Sequence, residues 1–592
     1  MSKRYRFLVV LLTVFIFLCK HLNAASEETP RNADVVMLPS FLVEDSYIKA
    51  IINPWEYISL PGFEILSRCP NDFTAAYVHA LQKAKRARLA ILPDEFWGEL
   101  ATPMKIILYN EKPKWAEGGN LPRSMDLAWS SGNKAIARSK PINQSQLSVV
   151  SDDDLFISCG NYRSIIQPYL TAKTFDYYAS QVAATDGKGS DLTDFTVDPD
   201  SDLRLHKRLP RFASWFTVGM LGQFGLYANH VIESASTGEV LVLPNAIWKS
   251  PEETIVMQEA ISQNRKRKKK HNLPPPALVP LGVFFKDSAS PENIAIWNSE
   301  AALIVRWGLF AKEKDGKDHR AAFLQFVDQT TREPVSEPPF QKCFGLSFHE
   351  VEERLKEYMP TAITEAIRVP LGVVPEQKYL ARQATSSEVA RIVGTWARLE
   401  ARILDPIFAD FRQKCLDFAD KQFQRECLKE NQDPYFLAEY GLYAAQIGNT
   451  QKALETLTAA TQAGVVRPRA YIELARLKLH ASIDNGRFSL SDSEFSQINE
   501  LLSIAQIQMP GLISIYNVMA LVLKHAPKPP TLEELNKLRQ AVDLFPSDST
   551  FAYKVATIYR QYGYIEEAAA VVKHGLDFAD TESARTLLTG VK

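Results

Sequence analysis

The sequence is short of the features that mark several specialised classes of protein. It contains 6 cysteines in 592 residues and no Cys-x-x-Cys pair, so neither a disulfide-dense module nor a cysteine zinc knuckle is indicated. Its 68 basic and 69 acidic residues leave a net charge of −1, which provides no overall field for attracting nucleic acid or an anionic membrane. We therefore expect no nucleic-acid partner.

Long apolar runs are also missing, with one exception at the N-terminus. Basic residues at 3, 4 and 6 precede an apolar run over residues 7–19, and residues 22–24 supply a small-residue cleavage site. A membrane-spanning helix needs about 20 apolar residues, so this pattern favours a cleaved signal peptide over residues 1–24 rather than a membrane anchor. We expect an exported protein (periplasmic, cell-envelope or extracellular) without stable membrane insertion after cleavage.

The five cysteines beyond the signal peptide are Cys69, Cys159, Cys343, Cys415 and Cys427. Because this number is odd, at least one thiol is free or pairs between chains. Cys415 and Cys427 lie in one helical region and are candidates for a bridge between two neighbouring helices. The alternative is that the scattered cysteines are small buried hydrophobic residues.

Histidine is sparse as well, and no two of the 10 histidines lie four positions apart. A His-Glu-x-x-His zinc motif needs that spacing to place two imidazoles on one helical face, with the glutamate activating a water molecule. His349-Glu350 begins the pattern, but Glu353 stands where the second histidine belongs. The sequence therefore predicts no catalytic residue, no metal ligand and no cofactor.

What the chain does contain, from residue 60 to residue 375, is an alternation of short β-runs and helical patterns typical of an α+β domain with a mixed sheet. Ser347 and Glu350 form a capping-box pattern at the start of one helix. Residues 25–59 form an N-terminal extension with short strands at 35–43. Strands are predicted at 58–68 (a strand pair), 104–109, 145–150, 155–159 and 240–244, and helices at 72–91, 161–182, 209–227, 252–263, 294–312, 318–331 and from 345.

From residue 386 to residue 592 the pattern is almost entirely helical and repeats internally. Five residues recur with an offset of 115: Gly441, Gly448, Ala453, Leu457 and Ala460 match Ala556, Gly563, Ala568, Val572 and Gly575. This spacing is that of tetratricopeptide repeats (TPR), where small residues let two antiparallel helices approach closely. Two degenerate units lie between, with helices at 470–480, 494–506, 512–525 and 532–544. A generic helical bundle would not predict matched small residues.

One segment resembles a zinc metallopeptidase helix. It reads Leu209-Pro210, then Trp215, Val218 and Gly219. The segment is similar to the W-x-x-E-G helix of gluzincin (peptidase-MA-like) families, whose glutamate closes the zinc site. The resemblance implies a zincin-like N-terminal domain in which Val218 replaces that glutamate and the zinc site is lost.

Weaker likenesses extend over residues 60–360. The segments at 66–70 and 104–109 resemble the start of such domains, and those at 279–285, 323–326 and 344–347 resemble a tail that packs behind the zinc helices. The family's His-Glu-x-x-His would fall near 191–202, where no ligand pair stands. Peptidase-MA-like domains often occur together with tetratricopeptide repeats.

Three further motifs have ordinary interpretations. The basic run at 265–271 suits a polyanion patch or, more simply, a solvated loop. The acidic run at 198–202 has calcium-loop spacing, but Leu203 and Leu209 stand where an EF-hand needs glycine and glutamate, which favours a polar turn. Residues 143–145 form a glycosylation sequon that matters only in a eukaryotic secretory pathway.

These observations predict an exported, non-catalytic protein. A pseudo-metallopeptidase domain would be joined to helical repeats that bind a protein or peptide partner through the first helix of each unit. One alternative is a secreted hydrolase with a non-standard site, its ligands dispersed among His206, His230 and acidic residues. Another is a structural envelope protein whose repeats pack on the N-terminal domain and bind nothing; burial of the face formed by the first helices would favour it.

Overall fold

The computed structural model describes residues 54–91, 102–109, 145–150, 154–159, 213–224, 239–242, 278–285, 294–312, 316, 318–330, 333–370, 378–404, 409–427, 433–483, 487–508, 512–546, 548–579 and 582–591. These residues form 18 helices and eight strands, so the protein is mostly helical with a small mixed sheet. The strands are β1 (Glu56–Leu60), β2 (Phe63–Ser67), β3 (Met104–Tyr109), β4 (Ser145–Val150), β5 (Asp154–Cys159), β6 (Glu239–Val242), β7 (Ile367–Pro370) and β8 (Ala381–Gln383).

The helices fall into two groups along the chain. Those of the N-terminal part are α1 (Asn71–Ile91), α2 (Ser214–Phe224), α3 (Leu281–Phe284), α4 (Ile294–Phe310), α5 (Arg320–Thr330), α6 (Glu337–Phe344) and α7 (Phe348–Thr364). Those of the C-terminal part are α8 (Ser386–Leu404), α9 (Ala409–Cys427), α10 (Pro434–Gln446), α11 (Thr450–Gln462), α12 (Pro468–Ile483), α13 (Asp492–Ile507), α14 (Ile513–Lys524), α15 (Leu532–Leu544), α16 (Ser549–Gln561), α17 (Ile565–Asp577) and α18 (Glu582–Thr589).

The main sheet has six strands in the order β5-β4-β3-β2-β1-β8. Strands β2 and β3 pair in parallel, with α1 between them in the chain, and every other neighbouring pair is antiparallel. The expected mixed sheet is therefore confirmed. Strand β8 lies in the segment between the two expected domains and pairs with β1, so it ties the end of the N-terminal part to the start of the sheet.

Both faces of this sheet are buried at its centre. Ile58, Ile65 and Ile106 pack on one side with the helices of the N-terminal part. Their neighbours Leu66 and Ile107 point to the other side, because successive side chains of a strand alternate, and they pack against α8, α9 and α10. The sheet is thus covered by N-terminal helices on one face and by the first C-terminal helices on the other.

Helix α7 begins as the sequence predicts. The Ser347 side chain accepts a hydrogen bond from the Glu350 backbone N–H, and the Glu350 carboxylate accepts one from the Ser347 backbone N–H. This reciprocal pair satisfies two backbone donors at the helix start. The capping box is therefore confirmed, and it explains why the helix starts at Phe348.

The C-terminal part is a series of antiparallel helix pairs: α10 with α11, α12 with α13, α14 with α15, and α16 with α17. Gly441 lets α10 approach α11 closely, because a Cβ there would lie 2.6 Å from Leu457 Cγ. Gly448 and Gly563 adopt positive φ angles of 79° and 86° in the turns within their pairs, a conformation that favours glycine. The helical pairing and the roles of these small residues are confirmed.

Some expectations need correction or stay outside the described residues. Cys415 and Cys427 both lie on α9 and neither is in a disulfide bond, so the bridge between neighbouring helices is wrong. The domain boundary expected at residue 60 falls at the end of strand β1. The signal peptide, the predicted elements at 35–43, 161–182 and 252–263, and the motifs at 143–145, 198–202 and 265–271 lie outside the described residues, as do His206 and His230. Among the described helices, none combines the length and apolar character that a membrane span requires.

Candidate functional site

Helix α2 is a core helix in this structure. It is the helix in which Val218 was expected to replace a zinc-binding glutamate. Val218 is buried, as are Trp215, Phe216 and Met220. The Trp215 ring contacts Phe285, Phe323 and Phe326, with ring centroids 5.4, 6.0 and 6.0 Å away. The two segments expected to pack behind this helix, at 279–285 and 323–326, therefore do contact it.

Two described polar side chains beside α2 donate hydrogen bonds to backbone carbonyl oxygens. Gly219 packs directly on α4, where a Cβ would clash with Val305 and the Ala301 carbonyl. Gln223 donates to the Ala302 carbonyl oxygen at 2.8 Å, and Arg306 donates to the Glu365 carbonyl oxygen at 2.8 Å. A guanidinium has no lone pair for a cation, so this part of the core is suited to holding helices together.

The His349-Glu350 pair also lies away from any metal-binding geometry. The His349 side chain is 80% exposed, and its Nδ1 lies 3.8 Å from Glu352 Oε2. Glu353, at the place of the second histidine, pairs with Lys356 on the surface. In the part of the chain that the structure describes, no group of three or more His, Cys, Asp or Glu side chains is arranged to hold a metal ion.

Two glutamates of the N-terminal part hold the backbone around α3. Glu300, which is fully buried, accepts a hydrogen bond from the Val279 backbone N–H at 2.9 Å. Glu352 accepts one from the Leu281 backbone N–H at 2.7 Å. Burial raises the pKa of Glu300 to about 8 despite that hydrogen bond, so the carboxyl group is largely protonated at neutral pH.

A buried ionic cluster joins the sheet to the helical pairs, and its centre is Glu439 on α10. Lys105 Nζ, from the second residue of β3, lies 2.8 Å from Glu439 Oε1. Arg467 Nε donates to the same oxygen at 3.0 Å, and Arg398 Nη2 lies 3.7 Å from Oε2. One carboxylate thus meets cations from β3, from α8 and from the segment before α12.

A second group of buried charges, formed by Arg391 and Glu64, lies beside the cluster around Glu439. Arg391 on α8 forms a bidentate hydrogen bond with Glu64 on β2, its Nη1 donating to Oε2 at 2.8 Å. Tyr57 donates to the same carboxylate at 2.6 Å, and Asp433 Oδ2 lies 3.4 Å from Arg391 Nε. Burial alone would raise the pKa of Glu64, but the hydrogen bonds and charge of Arg391 bring that pKa below its usual range.

Sequence reasoning did not single out these charged residues, although a signal for them is present. Lys105 interrupts the apolar strand Met104–Tyr109, and Glu439 interrupts an apolar stretch of α10. A charge in the middle of a buried run is rarely tolerated without a partner. The pattern indicates that each residue is paired; it does not indicate with what.

The first helices of the pairs were expected to present exposed side chains to a partner. Instead, α14 is buried along residues 513–520, including the polar residues Ser514 and Asn517. On α10 most residues from Phe436 to Ala444 are buried. Asn517 accepts a hydrogen bond from Lys554 on α16, so even its polar group is used between pairs. Among the described residues, these helices therefore offer little free surface.

Exposed apolar side chains are found at the turns instead. The loop between α12 and α13 holds Phe488, whose side chain is 94% exposed. The backbone that follows this ring is hydrogen-bonded to His525, the residue after α14: His525 Nδ1 donates to the Phe488 carbonyl oxygen at 3.1 Å, and the Leu490 N–H donates to the His525 carbonyl oxygen at 2.8 Å. Leu490 itself is buried and anchors the loop. The loop thus presents the Phe488 ring to solvent, with the backbone that follows it held at His525.

Comparison with known proteins adds little to this picture. No model of a known protein family matches the chain, and no curated protein matches its sequence. Among solved structures, yeast Tom70 aligns with 87% of this chain and 95% of its own chain, at 12% identity and a TM-score of 0.24. A TM-score this low does not show a shared fold, so we infer nothing from it about this chain.

Proposed function

We propose that this protein is an exported, non-catalytic scaffold whose helical pairs hold a protein partner. The observation that carries the proposal is the presentation of Phe488: a large aromatic side chain is kept in solvent by a loop fixed at His525 and anchored by Leu490. Aromatic side chains on fixed backbone are frequent anchors of protein interfaces, because little conformational entropy is lost when they bind. The partner class is a protein with an apolar pocket for this ring.

We further propose that residues 60–375 descend from a gluzincin-like domain that lost its zinc site. The buried position of Val218 and the packing of the segments at 279–285 and 323–326 on α2 support this ancestry. Export rests on the signal-peptide pattern of residues 1–24. N-terminal sequencing of the secreted protein would test export, with cleavage after residue 24 expected.

The burial of α10 and α14 moves the proposed partner site from the faces of the first helices to the turns. That burial also favours the alternative of a structural protein, in which the faces of the first helices bind nothing. Phe488 distinguishes the partner-binding scaffold from a structural protein. A protein whose repeats bind nothing has no use for an aromatic side chain exposed to solvent.

The experiment compares the full chain with a Phe488→Ser variant in quantitative cross-linking in the compartment to which the protein is exported. We expect a defined set of cross-linked proteins that the variant loses, whereas the matched control Leu380→Ser, which removes a residue that is 77% exposed near β8, retains it. An identical set for all three proteins would contradict the proposal. Metal analysis of the purified protein tests the hydrolase alternative, and one zinc per chain would overturn the non-catalytic assignment.

A further inference from the structure

Residues 278–285, which include the short helix α3, are held against two longer helices by carboxyl groups. Glu300 on α4 accepts a hydrogen bond from the Val279 N–H at 2.9 Å. Glu352 on α7 accepts one from the Leu281 N–H at 2.7 Å. Helix α3 has only four residues, and so short a helix is not stable through its own hydrogen bonds. Its position therefore depends on contacts of this kind. We call residues 278–285 the clasp segment.

The inner side of the clasp segment is apolar. Leu281 and Phe284 are buried, whereas Val283 on the outer side is exposed. The Phe284 ring stacks on Trp297 of α4 with the ring centroids 5.3 Å apart, and Trp297 Nε1 donates to the Phe284 carbonyl oxygen at 3.1 Å. The clasp segment thus covers apolar surface on α4 as well as Glu300.

Glu300 is the group in this arrangement that can change its charge near neutral pH. It is fully buried, and its second oxygen, Oε1, has no hydrogen-bond partner among the described residues. An ionised carboxylate at this position would lack the hydrogen bonds that a buried charge requires. Burial, assisted by the nearby carboxylate of Glu352, accordingly raises the pKa of Glu300 to about 8.

The groups around Glu300 favour its neutral form. Neither the clasp segment nor α2 contains an ionisable side chain. On α7 the charge that acts on Glu300 is Glu352, whose own neighbour His349 is exposed and lies 3.8 Å away. The other charged groups of α4 and α5 donate to backbone carbonyl oxygens or are exposed to solvent, and they are Arg306, Arg320 and Asp328.

From this geometry we propose that the clasp segment is a pH-sensitive switch, closed on α4 and α7 while Glu300 is neutral and opened by ionisation of Glu300. When the segment moves away, water reaches the carboxylate and supplies the hydrogen bonds that the closed form lacks. Opening also uncovers Leu281, Phe284 and the side of α4 against which they pack. The switch is independent of the proposed scaffold function, since it involves no other protein.

The pH range of the switch follows from the two protonation equilibria. In the open form the pKa of Glu300 returns to its usual value of 4.5, whereas in the closed form it is about 8. Between these pH values opening releases a proton, so each pH unit favours the open form by up to about tenfold. Below pH 4.5 and above pH 8 the two forms bind the same number of protons, and the balance between them no longer depends on pH.

Hydrogen exchange of the full chain from pH 5 to pH 9, measured by mass spectrometry and corrected for the intrinsic exchange rate, tests the switch. We expect the protection of peptides that cover Val279 and Leu281 to fall by up to about tenfold per pH unit and to level off above pH 8. Peptides from α16 serve as the reference for global unfolding. The clasp segment should be less protected than α16 at every pH, and low concentrations of urea should accelerate exchange in α16 but not in the clasp segment.

Two variants identify the group that titrates. Glu300→Gln keeps an oxygen for the Val279 N–H and cannot ionise, so protection of its clasp segment should not vary with pH. The surface variant Glu333→Gln should follow the parent chain, and unchanged circular dichroism shows that both variants fold. A clasp segment that is equally protected at all pH values in the parent chain would overturn the proposal. So would exchange of the clasp segment only together with α16, or a pH dependence that persists in Glu300→Gln.

Discussion

Lys105 and Glu439 are 334 positions apart in the chain, and their side chains meet at 2.8 Å in the folded protein. The two side chains are only 7% and 3% exposed. Lys105 belongs to the third strand of the sheet, and Glu439 belongs to the first helix of the repeated pairs. Since a buried charge without a partner is strongly unfavourable, folding of the sheet and folding of the repeats depend on each other at this point.

We expect Glu439→Gln to lower the free energy of unfolding by about 3–5 kcal/mol, because Lys105, Arg398 and Arg467 would then lose the buried carboxylate that they share. Chemical denaturation measures the change. Glu455→Gln is the control, since Glu455 is 66% exposed and pairs with Lys452 on the surface. A loss for Glu439→Gln as small as that of the control, within about 0.5 kcal/mol, would contradict the role of this carboxylate.

Replacing Lys105 by Met tests the same contact from the side of the sheet. Lys105→Met should cost less than Glu439→Gln, about 1–3 kcal/mol, because Glu439 keeps its two arginines. In the double variant the effects should be non-additive by about 0.5–3 kcal/mol, as for residues in direct contact. Strictly additive effects would show that the two side chains do not interact in solution.

The buried carboxyl group of Glu300 predicts a pH dependence of stability. Its pKa is raised from 4.5 to about 8 in the folded protein, chiefly by burial. Between these two pH values the folded chain keeps a proton that the unfolded chain releases. Stability contributed by this group is therefore full below about pH 4.5 and is lost as the pH rises towards 8, by at most about 1.4 kcal/mol per pH unit.

The Glu300→Gln variant removes this titration while keeping an oxygen for the Val279 N–H. We expect its stability to decline less than that of the parent chain between pH 5 and pH 8, as measured by denaturant titration at several pH values. The surface variant Glu333→Gln should follow the parent curve. Parallel curves for Glu300→Gln and the parent would show that Glu300 does not titrate in this range.

Close packing within a helix pair makes Gly441 sensitive to a single methyl group. A Cβ at this position would lie 2.6 Å from Leu457 Cγ and 2.7 Å from Thr456 Oγ1. We expect Gly441→Ala to destabilise the protein by about 1–3 kcal/mol through overpacking. Thermal or denaturant unfolding measures this cost.

A second glycine separates overpacking from backbone strain. Gly448 has a φ of 79°, and a Cβ added to it would meet nothing within 4 Å, so Gly448→Ala should cost about 1 kcal/mol through strain alone. Adding Leu457→Ala should offset part of the cost of Gly441→Ala and none of the cost of Gly448→Ala. Equal behaviour of the two glycines towards Leu457→Ala would contradict the close approach of α10 to α11.

Sequence periodicity predicted the positions of several strands and helices. Strand β3 was expected over 104–109 and is found at Met104–Tyr109, and the helix expected at 532–544 is found at Leu532–Leu544. The Ser347 capping box and the glycine turns at Gly448 and Gly563 follow directly from local chemistry. These features depend on residues close together in the chain, which is why local patterns predict them.

Other features depend on which distant segments meet. That Lys105 finds Glu439, that Arg391 finds Glu64, and that β8 joins the sheet beside β1 are decided by the packing of α8 and α10 on the sheet. The burial of the first helices also depends on distant segments. Their small residues indicate paired helices, but only packing between pairs buries Ser514 and Asn517. Composition and spacing by themselves determined helices, strands, caps and turns, because these need only neighbouring residues. The tertiary structure decided which charges pair and which apolar residues stay in water, because burial is a property of the whole fold.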